Sequence, residues 1–400
     1  MIATNELARM WCADQRAARH AIAKAFAERH LTPSDFRLRE MAENLIFVGG
    51  SPIGPSELRL LESRGESVHV LESSGVISTS AFRFVTERIV NAAVLEGAQA
   101  PDPAVSNLMP VLDGRTRRTE ILQPTLPLEE GKQAADIQEG QEYPILGIYG
   151  ERLRTLPARK KGFQIPLTRE AVLADDSGQL IQTARDAGRA LAAMKESLIL
   201  DFIAGNIPNC VFETRAGSTT ETVSNLFLTT GAWINSQVNA LVDFTSVETA
   251  LKLLAGNTLT ATSYLAEVKQ PVLIVPYHLR MQAWRILNGI ETRSGTTNVV
   301  ISAPPFSTQG GLQQVTMVAS LQLVQRQKAA GKTDAQAQGT WFIGDLAQAF
   351  RYYQLWPITV EEDPTPTGRY THDIWARFQA SECGVPVAIQ PRVWCQNLPA

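Results

Sequence analysis

Four cysteines and five histidines are all that this 400-residue chain has of either type. Cys12, Cys210, Cys383 and Cys395 are too scattered for a disulfide framework or a zinc knuckle, so a reducing compartment is the default. His20, His30, His69, His278 and His372 stand in no metal-ligand spacing with one another or with a cysteine. The Gly-rich dinucleotide loop, the Walker loop, the GxSxG elbow and the HExxH helix are all absent. No run of about 18 apolar residues occurs, which excludes a transmembrane helix. The charged N-terminus lacks the apolar centre of a signal peptide. A net charge of −3 lacks the basic excess of a sequence-specific DNA binder. Neither an internal repeat nor a low-complexity tract is present.

What is there is a core, an arm and a strut. With 44% hydrophobic residues the chain can bury a substantial interior, and its length suggests two or three domains. The spacing of Leu7, Trp11, Ala18, Ile22 and Phe26 predicts a helix over 4–30. A second helix is expected from the capping signal Thr32-Pro33-Ser34-Asp35. Gly49-Gly50 ends that unit, and Ser51–Pro55 reads as a linker. A helix follows over 79–96, with Gly97 as its stop. Five prolines between 98 and 127 make that stretch an extended arm or edge segment. Residues 139–168 are turn-rich and alternating. They lead into one long amphipathic helix that starts near Asp175-Asp176-Ser177, where carboxylates complement the helix dipole, and ends at Gly205. Leu180, Ala184, Ala187, Leu191, Met194, Leu198 and Phe202 form its expected seam.

The second half alternates between helix and strand. Helices are expected at 246–254 and 277–289, and strands at 271–276, 298–302 and 341–345. Residues 312–329 suit either state, and two C-terminal strands are expected to turn at Gly384. The fold class is therefore α+β without a regular βαβ series.

The arm carries the most distinctive charge pattern. Glu129, Glu130, Asp136, Glu139 and Glu142 make its first half acidic; Arg152, Arg154, Arg159, Lys160 and Lys161 make its second half basic. A solvated hairpin pairing with itself accounts for this pattern. So does an arm whose charges meet opposite charges on a neighbouring subunit and set register. Asp175-Asp176 and Glu361-Glu362-Asp363 are explained by a helix start and a solvated loop rather than a divalent ion.

The order of these pieces resembles the major capsid proteins of tailed bacteriophages. EGQEYP at 139–144, RKKGFQIPLTREAVLADDSG at 159–178 and GRALAAMKESLILDFIAGN at 188–206 resemble the E-loop and spine helix of the Johnson fold, which is shared with herpesvirus shells and encapsulins. PVLIVPYHLRMQAWRIL at 271–287 resembles the strand and helix of that fold's axial domain. Residues 341–363 and 372–394 resemble its closing strands. The resemblance covers about 100–400.

It implies the following organisation. Residues 1–75 are an N-terminal helical segment with a scaffold-like role in some relatives, 76–125 a helix and extended N-arm, and 126–166 the E-loop. Residues 167–245 are spine helix and peripheral domain, 246–362 the axial domain, and 363–400 closing strands of the peripheral domain. It implies a non-enzymatic protein with no cofactor and no catalytic or metal site. Its partners are copies of itself, as hexamers and pentamers in an icosahedral shell around double-stranded DNA, together with a portal and a scaffold, maturation protease or decoration protein. It implies no membrane partner. The place of the protein is the virion, with assembly in the host bacterial cytoplasm. Lattice contacts are expected at Glu129, Glu130, Lys132, Glu139, Arg152 and Arg154, with Arg159, Lys160 and Lys161 supporting the arm's base. Lys132 is the lone lysine of 126–150. No asparagine in a matching context accompanies it, so no crosslink is expected. Two alternatives remain: an encapsulin-like compartment housing a cargo enzyme, and an α+β enzyme using His278, His372 and Asp373.

Overall fold

A computed structural model describes residues 17, 20–21, 24, 47–48, 51–52, 79–99, 105–113, 120–123, 139, 151–154, 157–168, 179–207, 211–216, 219–223, 225–231, 233–257, 267–288, 314–362 and 374–399. Ala17, His20, Ala21 and Lys24 are helical, within the expected first helix. The capping signal at Thr32, the strand expected at 298–302 and the helix start at Asp175–Ser177 lie outside the described residues.

The elements run in this order: β1 Phe47–Val48, β2 Ser51–Pro52, α1 Thr79–Ala98, β3 Val111–Asp113, β4 Glu120–Gln123, β5 Glu151–Arg154, β6 Arg159–Thr168, α2 Gln179–Ile203, β7 Val211–Ala216, β8 Thr219–Val223, β9 Ser236–Val238, α3 Phe244–Ala255, β10 Pro271–Pro276, α4 Arg280–Asn288, β11 Thr316–Ser320, α5 Gln322–Ala329, α6 Asp334–Gly339, β12 Trp341–Asp345, α7 Leu346–Ala349, β13 Phe350–Glu362, β14 Ile374–Ala388 and β15 Trp394–Leu398. The architecture is α+β, as the sequence pattern implies. Of the linker expected at 51–55, Ser51 and Pro52 form a strand instead, with Val48 pairing Ser51 and Phe47 pairing Pro52, antiparallel; the rest of it lies outside the described residues.

The chain divides into two compact units. Unit 1 comprises 1–100, 160–193 and 356–383. Its core gathers Ile89, Val90, Ala93 and Val94 of α1, Ile181, Ala184 and Leu191 of α2, and Val360, Phe378 and Ala380 of the strands. Helices α1 and α2 cross on glycines. A Cβ built on Gly97 would stand 2.0 Å from the Arg185 carbonyl oxygen, and one on Gly188 would stand 2.0 Å from that of Val94. Only hydrogen at those positions allows the approach. Arg185 reaches across the same crossing to Glu96 at 3.0 Å.

Unit 2 comprises 101–159, 194–355 and 384–400. A five-stranded sheet, in the order β11-β10-β12-β15-β9, is its centre. PVLIVP and WFIGD are buried along their whole lengths, which explains their continuous apolar runs. One face of the sheet packs Phe342 and Trp394 with Phe350 and Phe202; the rings of Phe350 and Trp394 meet edge to face at 5.5 Å. The other face covers Leu273, Val275, Trp341 and Ile343 with Val247, Ala250 and Leu254 of α3 and Ala283 of α4. Asp243 caps α3 and Thr333 caps α6, each in a capping box. Residues 312–329 turn out to be both states in series, β11 and then α5.

The long helix ends as read from sequence. Gly205 has φ +71°, and the Gly205 N–H to Phe202 and Asn206 N–H to Asp201 bonds complete a Schellman stop. Its seam differs from the expected one. Met194 is half-exposed, whereas Ile181, Gly188, Ile199, Leu200 and Ile203 are buried. Residues 179–193 serve the core of unit 1, and residues 194–203 serve that of unit 2. A single 4-3 stripe describes neither half completely.

Gly384 is not a turn. Strand β14 runs unbroken from Ile374 to Ala388, and the ring of Tyr352 lies where a Cβ on Gly384 would be, 2.5 Å away. The glycine makes room for an aromatic side chain on a neighbouring strand.

Candidate functional site: the arm and its anchors

The arm's charged positions fall into two groups. Glu129, Glu130 and Lys132 lie outside the described residues, and Glu139 is an exposed turn residue. Arg152 and Arg154 are on β5. That strand is not the edge of a lone hairpin: it pairs antiparallel with β4 on one side and β7 on the other, in the sheet order β4-β5-β7-β8. In register, Arg154 stands opposite Glu120 and Arg152 opposite Glu213.

Strand β6 carries the remaining cations. It is an edge strand of the four-stranded sheet β3-β13-β14-β6. Arg159 and Lys160 are exposed, whereas Lys161 is half-buried. Beyond them, Gly162, Gln164 and Pro166 face solvent while Phe163 and Ile165 are half-buried, the period of a strand with one covered face. Gly162 lies where a Cβ would come within 2.4 Å of the Ala380 carbonyl oxygen. Pro166 fits an edge, where a missing N–H breaks no ladder.

The segment preceding β3 is fastened to the long helix by a side chain that sequence reasoning missed. The buried Glu196 carboxylate accepts the N–H of Val105 at 2.8 Å and of Ser106 at 2.9 Å. Val105 and Met109 are then inserted into the core of unit 2. Tyr352 donates its N–H to the Pro110 carbonyl at 2.9 Å, and β3 continues parallel to β13. The Lys195 ammonium sits over the Tyr352 ring, 4.4 Å from its centroid.

One turn further along the helix, Asp201 takes Arg326 of α5 in a two-point ion pair. That hydrogen bond raises the arginine's already high pKa. Asn206 donates to the same carboxylate at 3.3 Å, and Trp394 donates its ring N–H to the Ile203 carbonyl at 3.2 Å. Asn235 and Asp345 are further anchors that the sequence reading did not single out. Asn235 bonds Leu228, Leu226 and Pro391, and Asp345 accepts three backbone N–H groups, from Lys269, Gln270 and Gln348. Asp345 also caps α7 through Gln348, a local role, but the bonds that tie Asn235 to Pro391 and Asp345 to Lys269 and Gln270 reach 75 residues or more along the chain and leave no local pattern.

Of the residues of the enzyme alternative, only His278 is described. His278 is exposed in a 3-10 turn, and His372 and Asp373 lie outside the described residues. Cys383 and Cys395 are buried, and burial pushes the Cys395 thiol up to about 12, far from a reactive thiolate. Among the described residues no group of acidic, histidine or cysteine side chains is placed to hold a metal ion. No described helix is long and apolar enough to cross a membrane.

Comparison with known proteins supplies the identity of this assembly of arm, strut and sheets. Among curated proteins no sequence matches the chain. Solved structures similar to it include the virus-like particle from Pyrococcus furiosus, at 14% identity over 77% of this chain and 97% of the other, with a TM-score of 0.41. They include the capsid of a native GTA particle, at 11% identity over 74% and 90%, TM-score 0.44. Mycobacterium phage Ogopogo is a third, at 17% identity over 74% and 91%, TM-score 0.42. The phage capsid protein family matches residues 153–381, more than half of the chain. The chain belongs to that phage capsid protein family: it is a structural subunit of a phage head, part of the virion's capsid, and not an enzyme.

Proposed function

We propose that this subunit builds the icosahedral head of a tailed phage or prophage as hexamers and pentamers, and that the head encloses double-stranded DNA without reading its sequence. The observation that carries the reading is the family match across the arm's second half, the long helix and the strands that follow. A shell needs one surface to meet another many times under closed symmetry, with no chemistry beyond that. A portal, with a scaffold, maturation protease or decoration protein, completes the partner set. Negative-stain electron microscopy of the purified chain tests this: closed shells, capsomer rings or tubes are expected. A uniform small oligomer across salt and crowding conditions would overturn it.

Within that function, 126–166 acts as an E-loop laid over a neighbour. Glu129, Glu130, Lys132, Glu139, Arg152 and Arg154 make lattice contacts, and Arg159, Lys160 and Lys161 support the base. The exposure of Glu139, Arg159 and Lys160 supports this assignment. Residues 246–362 serve as the axial domain, with β9 and β15 completing its five-stranded sheet, and the rest of 167–245 and 363–400 serve as the peripheral one. Deleting 130–150 is expected to leave a folded subunit that forms no shells; normal shells from the deletion would refute the arm's role.

A further inference from the structure

We infer that an apolar face on α4 and its surroundings is a contact between copies of this chain, and that it is heterologous: the face on one copy meets a different surface on the next. The inference rests on the shell-forming function above and adds a surface to it.

Tyr277, Met281 and Trp284 follow one another at steps of four and three, so they form one stripe along the 3-10 turn and α4. Ala283 and Ile286 on the opposite side are buried in unit 2, which leaves the stripe facing away from the core. The stripe has apolar neighbours at its start and along one flank. Pro276 pairs in register with Ser320, so Tyr277 and Leu321 leave the sheet side by side. Gln282 donates to the Val242 carbonyl at 3.3 Å, which brings Val242 and then Phe244 alongside α4. Leu321, Tyr277, Met281, Trp284, Val242 and Phe244 are each between 39% and 67% exposed.

Side chains of this kind present roughly 150–250 Å² each, so half-exposure of six leaves roughly 600 Å² of apolar surface. That is at the upper limit of what a solitary subunit shows. It approaches the ~800 Å² per partner of a standard interface. Trp, Tyr, Met and Arg are also the residue types enriched where proteins meet.

Charge decides the geometry. Arg280 and Arg285 flank the stripe on its two sides, both exposed, and Arg280 lies 5.5 Å from the Tyr277 ring centroid. A two-fold contact of the face with itself would crowd the guanidinium groups of both copies together. A different surface of the next copy avoids that repulsion, and repeated heterologous contacts close into rings.

The test uses the full chain. Under conditions where the wild type closes shells, M281E/W284E is expected to keep its circular dichroism and thermal transition and to form shells at least tenfold less. Shell yield equal to wild type overturns the proposal. Should the variant fail to fold, hydroxyl-radical footprinting of the wild type decides. Labelling of Met281 and Trp284 is expected to fall at least fivefold from dissociated subunits to shells, and unchanged labelling overturns the contact. M281C shells under oxidation are expected to give no disulfide-linked dimer; efficient dimer formation overturns the heterologous geometry. A wild type that forms no shells at all would instead refute the shell function, and this contact with it.

Discussion

Replacing Gly188 by alanine sets two effects of opposite sign against each other. Helix propensity alone favours alanine by about 1 kcal/mol, because glycine has more freedom to lose. The crossing opposes it. The new methyl would stand 2.0 Å from the Val94 carbonyl oxygen, 2.9 Å from its carbon and 3.1 Å from the Ala98 nitrogen. All three are backbone atoms of α1, so no side chain can swing aside. A carbon–oxygen contact needs about 3.3 Å or more, so the helices must part locally by about 1 Å. A gap of that size forfeits roughly a quarter to a half of the dispersion between facing atoms. The atoms concerned belong to Ile89, Val90, Ala93 and Val94 on one helix and Ala184 and Leu191 on the other. Overpacking of this kind costs about 1–3 kcal/mol, and the lost contacts add to it. The expected net destabilisation is about 2 kcal/mol, a fall of about 4–8 °C in Tm for a domain-sized unit. Thermal and urea unfolding of unassembled subunits, followed by circular dichroism, measures it. G97A, with its own 2.0 Å approach to the Arg185 carbonyl oxygen, is expected to behave alike. The double variant should lose less than the sum, since one separation relieves both clashes. A G188A subunit as stable as the wild type, or more so, refutes the close crossing.

Other expected outcomes follow from the anchors. E196Q keeps one acceptor oxygen for two N–H groups, so it should weaken the hold on 105–106 and speed amide exchange there, at a cost of about 1.5–3 kcal/mol; unchanged exchange refutes the clamp. G384V should destabilise by driving a side chain into the Tyr352 ring, and Y352A should partly restore the double variant; additive losses refute the packing. Cys395 should resist Ellman's reagent at pH 8 until denaturant is added. Its proton is held more tightly folded than unfolded, so its contribution to stability is complete below about 9. It falls as pH rises towards about 12, because the unfolded thiol ionises first; a C395A variant that loses stability as steeply as the wild type over that range refutes the linkage.

The helices and buried strands were legible where local chemistry decided them. Gly205 announced its Schellman stop, and the apolar run PVLIVP its two-sided burial, because both signals sit within a few residues. Misreadings arose where the deciding partner is far away. Gly384 looks like a turn until the Tyr352 ring is placed over it. Met194 fits the seam by spacing, yet the helix changes the core it serves near that residue. Glu196 carries no local mark, because its partners are about ninety residues earlier. The arm's charge pattern was visible, but its register was not. Arg152 and Arg154 pair in backbone register with Glu213 and Glu120, neither of which belongs to the acidic first half.

The clamp at Glu196 has one further consequence, for how this surface can vary. The carboxylate holds main-chain N–H groups, which every residue except proline supplies. Position 106, half-exposed, is therefore free to drift in side chain while keeping its place. Position 105 is held by the core as well as by the bond. Position 196 has no such freedom, since only a carboxylate offers two unencumbered oxygens at that reach. The two sides of one contact thus stand under unequal constraint: one accepts almost any spelling, and the other a single letter or its close neighbour.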